Sequence, residues 1–213
     1  MKNSTLDELS ELHNQIISEI ESGVSLKQAY FVMNIMATIF ACYGLLVNNV
    51  VVLIGSMLVA SLLGPIVGSA FALITGNKFL LLRAILSIVG GVTVVYTTAL
   101  IIAFIYQDLP ITDEIMKRTM PNFLDFYIAF IGGAAAVYAQ IFPGLSMSLV
   151  GVGIVVSLVP PLASSAILLV HGKYALAGGA LSLAFINVVG IQLATTITFT
   201  FLKYIKKHQL FNK

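Results

Sequence analysis

Two proline-centred segments carry the residues best placed to bind a ligand. Ser61, Gly64, Pro65 and Ser69 sit in one charge-free run, and Ser157, Pro160, Pro161, Ser164 and Ser165 sit in another, 96 positions further on. Within a helix each backbone N–H bonds the carbonyl four residues earlier, and proline has no N–H to give. Pro65 therefore frees the carbonyl of Ser61, and Pro160 and Pro161 free those of Val156 and Ser157. In apolar surroundings such a carbonyl needs a partner, and the nearby serine hydroxyls, water or a bound ion can supply one. Beyond each proline a new half-helix begins, with free N–H groups and the positive end of the helix dipole. Released carbonyls suit a cation or a donor, and a half-helix start suits an anion or an acceptor. The competing reading is a pair of ordinary kinks repaired by Ser and Thr.

The surroundings narrow the chemistry. No Asp, Glu, Lys or Arg stands at the centre of any apolar run, and Arg83 and Asp125 lie at edges. That pattern disfavours a pump working through an intramembrane carboxylate. The neutral residues Asn34, Asn187, Gln192, Thr195, Thr196 and Thr198 read as groups that bond across helices, with Asn187 and Gln192 next in line to face a solute. His13, His171 and His208 are scattered, with His171 a solvated loop residue, so no metal site is expected. The run Gly132–Ala136 reads as a tight packing face. No metalloprotease, serine-hydrolase or nucleotide-loop motif occurs, and the expectation is a protein that is not an enzyme and has no cofactor.

The elements that hold these residues follow from composition. Of 213 residues, 59% are hydrophobic and 9% charged, with a mean hydropathy of +1.01. That is the profile of an integral membrane protein, whose first partner is the lipid bilayer. A net charge of +2 gives no case for nucleic acid, and the single Cys42 leaves a buried thiol. Apolar stretches at 29–47, 50–75, 84–106, 123–142, 145–170 and 175–202 are each long enough to span. Residues 4–22 place Leu and Ile on one face of a polar helix, with Thr5 and Glu8 as a capping box, and no cleavable leader is expected. Residues 107–122 read as a solvated connector.

Shifting the chain by 96 positions aligns Leu53 with Leu149, Ser61 with Ser157, Leu62 with Leu158, Ser69 with Ser165, Gly76 with Gly172 and Val92 with Val188. Three spans per unit reverse the second unit in the bilayer. The expected fold is all-α, with six transmembrane helices as two inverted three-helix repeats whose second and fifth helices are broken by proline. The divisions are a cytoplasmic N-terminal helix over 1–28, the first repeat over 29–106, the extracytoplasmic connector over 107–122, the second repeat over 123–202 and a basic cytoplasmic tail over 203–213. Eight basic residues fall on the side of the termini (Lys2, Lys27, Lys78, Arg83, Lys203, Lys206, Lys207, Lys213) against Lys117, Arg118 and Lys173 on the other. By the positive-inside bias both termini are cytoplasmic.

The segments Ser56–Ile66 and Val155–Ala163, followed by Asn187, resemble a family of bacterial and archaeal membrane proteins, domain of unknown function 389. The resemblance covers about Ala29 to Leu202. It implies a compact polytopic fold in a prokaryotic plasma membrane, and no substrate. This chain differs in having Ser61 where members typically have proline, and in lacking the folded soluble domain many carry. Inverted repeats with matching broken helices point to a secondary transporter or channel for a neutral or small ionic solute, working as a homo-oligomer, most simply a dimer. The other reading is a scaffold or sensor subunit that moves nothing and acts through its N-terminal helix.

Overall fold

A chain surrounded by hydrocarbon must close its own backbone hydrogen bonds, which a helix does within one segment. A computed structural model describes residues 18, 20–24, 26–141 and 158–211, and among these every regular element is a helix. In order they are α1 (Gln28–Leu46), α2 (Val50–Val59), α3 (Leu63–Thr75), α4 (Lys78–Ile105), α5 (Asp113–Met116), α6 (Phe123–Ile141), α7 (Val159–Val170) and α8 (Tyr174–Phe211). Most of the 1–28 segment, with Thr5 and Glu8, lies outside the described residues, as do Val156 and Ser157.

Asparagine and glycine set the boundaries. The Asn49 side chain accepts from the N–H groups of Val51 and Val52, and Asn77 from that of Leu80, so each satisfies first-turn donors. This cap lets α4 begin at Lys78, ahead of the apolar run at 84, and carry Arg83 on its first turns. Gly76 and Gly172 follow α3 and α7 with φ of 73° and 69°, a left-handed backbone that glycine adopts without strain.

Four helices have the length and hydropathy to cross a bilayer: Gln28–Leu46, Lys78–Ile105, Phe123–Gln140 and Tyr174–Phe201. The pair α2 and α3 passes the same test jointly, bent by 45°, and α7 is apolar but shorter. The protein is thus an all-helical membrane protein with four or five candidate spans among the described residues. Small side chains hold the helices close: Ala37, Ala41, Cys42, Ala99, Ala163 and Ala166 are fully buried. The expected packing face in α6 meets α8, where a Cβ added at Gly133 would lie 2.8 Å from the Ile191 Cα.

The segment 107–122 departs from the expected solvated connector. Its helix α5 buries Ile115 and the Glu114 carboxylate, and Thr119 is buried beyond it. Thr112 Oγ1 donates to the Leu45 carbonyl at 2.6 Å, and the Glu114 N–H donates to Asn48 Oδ1 at 3.0 Å. Lys117 Nζ and Arg118 Nη1 reach the Glu114 carboxylate at 2.6 and 3.1 Å. His171 is tied in as well, its Nε2 at 3.0 Å from the Leu109 carbonyl and its Nδ1 at 2.8 Å from that of Ile167. Partners more than sixty residues away, invisible to local composition, fasten the connector to the ends of α1 and α7.

Burial raises the Glu114 pKa, but hydrogen bonds and charge from Lys117 and Arg118 outweigh it and hold the carboxyl below its ordinary value. A folded pKa below the unfolded one gives stability that is complete above the unfolded pKa and lost as pH falls through the folded one. Hydrogen exchange at residues 107–122 is therefore expected to be slow at neutral pH and to lose protection below the usual carboxylate range. Glu114→Gln is expected to weaken the same amides by about 1.5–3 kcal/mol at pH 7. Unchanged protection in that variant would show that the ion pairs hold nothing.

Candidate functional site

The first break lies before its proline. Helix α2 ends at Val59, Ala60 is extended with ψ of 135°, and α3 starts at Leu63. Pro65 is then the third residue of α3, in a first turn where a missing N–H costs no helical bond. What satisfies the opened backbone is Asn34 of α1, fully buried in an apolar helix. Its Oδ1 accepts the Ser61 N–H at 3.1 Å, its Nδ2 donates to the Tyr30 carbonyl at 3.0 Å, and its own carbonyl takes the Thr38 hydroxyl at 2.7 Å. Asn34 is the expected cross-helix bond, placed on the break itself.

Gly64 and Gly68 face the chain's N-terminal side. A Cβ on Gly64 would come within 2.8 Å of the Gly23 carbonyl oxygen, and one on Gly68 would strike the Val24 side chain. Ile20 and Val24 are buried in the same contact region. Ser69 joins α3 to α8: its hydroxyl donates to Gln192 Oε1 at 2.9 Å and lies 2.8 Å from the Ile66 carbonyl.

The start of α7 repeats the placement of proline seen in α3. Helix α7 starts at Val159, so Pro160 and Pro161 are its second and third residues. Both are buried, as are Ser164 and Ser165. Ser165 Oγ lies 3.3 Å from the Tyr96 hydroxyl, whereas Ser164 Oγ is buried with no hydrogen-bond partner among the described residues. Asn187 is buried on α8. The starts of α3 and α7, the two left-handed glycines and the starts of α4 and α8 all recur at the spacing of 96. Across the units, α4 packs on α7 and α8 packs on α3.

Where these four helices meet there is a cavity of about 330 Å³. Its wall is Leu62 and Ile66 at the start of α3, Leu158 and Leu162 at the start of α7, Ile88 and Val92 from α4, and Leu181, Ala184, Phe185 and Val188 from α8. Eight of these ten form pairs at 96: Leu62 with Leu158, Ile66 with Leu162, Ile88 with Ala184, and Val92 with Val188. The polar residues picked out in the sequence flank this wall and do not form it. Ser61, Ser69, Ser165 and Gln192 make bonds elsewhere, and Gly64, Pro65, Pro160 and Pro161 lie beside the leucines that line it. The two pairs at the helix starts left one trace in the sequence, the match of Leu62 with Leu158.

At the start of α7 Pro160 and Pro161 have no N–H, so two first-turn donors are missing there. An anion at that end would meet fewer donors and an apolar wall, which suits a neutral solute with apolar surface. Among the described residues no three His, Cys, Asp or Glu side chains gather as a metal site would require.

The family model for the domain of unknown function DUF389 matches residues 57–193, which include both breaks and the cavity wall. An uncharacterised protein of Methanocaldococcus jannaschii is 30% identical over 193 residues, covering 89% of this chain. The chain spans 58% of that relative's length. No solved structure matches. The chain belongs to the DUF389 family.

If Asn34 carries the break, Asn34→Leu leaves the half-buried Ser61 N–H unpaired and lowers stability by about 1–3 kcal/mol. Thermal unfolding in detergent reads this directly. A melting temperature equal to that of the unsubstituted protein would mean that another group satisfies Ser61.

Proposed function

We propose that this DUF389 protein is a small secondary transporter or channel for a neutral solute, bound where its two broken helices meet. The observation that carries this reading is the pairing of eight of the ten cavity-lining residues at the repeat spacing. A cavity lined in this way sits on the relation between two units, the place where inverted-repeat transporters hold their solutes. The architecture proposed with it has six spans in two inverted repeats: α1, α2 with α3, and α4 in the first, then α6, the segment ending in α7, and α8 in the second. The turn at Asn48, the connector and His171 meet one another, which supports an even number of spans, two in each interval, between them. The balance of basic residues supports cytoplasmic termini in a prokaryotic plasma membrane.

The apolar wall and the two donors missing at the start of α7 favour the neutral class over a small ion. Leu62→Trp and Leu158→Trp each fill the cavity from one half-helix start. In proteoliposomes assayed with urea, glycerol, erythritol and apolar amino acids, each variant is expected to lower the flux of the transported solute at least about tenfold. Pro161→Ala and Ser157→Ala test the second break in the same assay. Flux equal to the unsubstituted protein in both tryptophan variants would remove the cavity from the path.

One contact favours a second reading, a scaffold or sensor working through the N-terminal segment. Ile20 and Val24 are buried near α3 at Gly64 and Gly68, the half-helix that also supplies Leu62 and Ile66 to the cavity. Val24→Asp should loosen that contact. A change in partner binding with no solute moved by either form would favour the scaffold.

A further inference from the structure

The cavity is not symmetric, and its asymmetry is informative. Four pairs of wall residues obey the spacing of 96, but Leu181 and Phe185 have no mates in the wall. Their counterparts are Ile85 and Val89 on α4, which lie outside it. Phe185 lines the cavity yet is 68% exposed, and Leu181 is 42% exposed, so the cavity opens beside them. Ile85 and Val89 are 46% and 57% exposed and make no wall. The cavity therefore reaches one turn further toward the beginning of α8, the end next to His171 and the connector, than toward the beginning of α4.

Two units whose helix starts recur at one spacing can exchange conformations, and the exchanged state has the same pairs in the wall with the opposite opening. We propose that this is one of two mirror states of the cavity. In the other state Ile85 and Val89 border the opening, toward the Gly76–Lys78 turn, while Leu181 and Phe185 withdraw. These four residues are the gates, two for each side. The inference rests on the transport reading above and adds the residues that would make access alternate between the sides.

The test uses single cysteines at 85, 89, 181 and 185 in a Cys42→Ala background, since Cys42 is the chain's one cysteine. Reaction with N-ethylmaleimide is followed in proteoliposomes. Leu181→Trp fills the opening seen here and should favour the mirror state. It is expected to raise the reaction rate of Val89→Cys about threefold or more and to lower that of Phe185→Cys by a similar factor. Ile85→Trp should act in the opposite sense. Rates that stay the same, or that move together, overturn the proposal. A second measurement needs no filling side chain: spin labels at 89 and 185 should give two distance populations, and a single population overturns it. Reciprocal rates without solute flux would keep the two states and sink the transport reading. Flux with rates that do not move reciprocally would do the reverse.

Discussion

An opened backbone in an apolar interior must find its partners inside the protein, and this structure turns on how one opened turn does so. The Ser61 N–H is bound by the side chain of Asn34, a residue from another helix with no exposed surface. That bond allows α2 and α3 to meet at 45° instead of running on as one straight helix. The bend in turn brings Leu62 and Ile66 to the start of α7 and creates the space between the units. An asparagine of that kind is costly to bury and is stable only when both ends of its amide are used. Here both are, by Tyr30 and Ser61.

The prolines have a different part in the same geometry. Each sits in the first turn of a half-helix, where proline fits and fixes the start of the helix. Pro160 and Pro161 go further, because they strip two donors from an end that would otherwise attract anions. A broken helix is often a place for ions, held by carbonyls and amides. In this protein the ends are furnished with leucines, and the polar groups are engaged one layer out, between Ser69 and Gln192 and between Ser165 and Tyr96.

Much of this was legible in the residues, and the limits are physical. Long apolar stretches and two proline breaks announce membrane helices, because the bilayer demands length and hydrophobicity that composition records directly. The spacing of 96 was also on view, and it recurs in the starts of α3 and α7 and of α4 and α8. The site was harder to read. Serines and prolines looked like ligand groups, while Leu62, Ile66, Leu158 and Leu162 looked like any core residues until folding left a space beside them. The connector, mostly exposed, has anchors that are hidden for a related reason. Its charges suggest solvent, but Glu114 carries its own counter-ions three and four residues on, and Asn48 and Leu45 receive it from afar.

The two polar bonds of α3 differ in when they can form during synthesis. Asn34 and Ser61 are 27 residues apart, so the bent first unit can close that bond as soon as it has left the ribosome. Ser69 waits for Gln192, made 123 residues later. In the interval α3 also lacks α8, the helix that completes its packing. The face of α3 that packs on α8 thus stays without that partner until the last helix has been made.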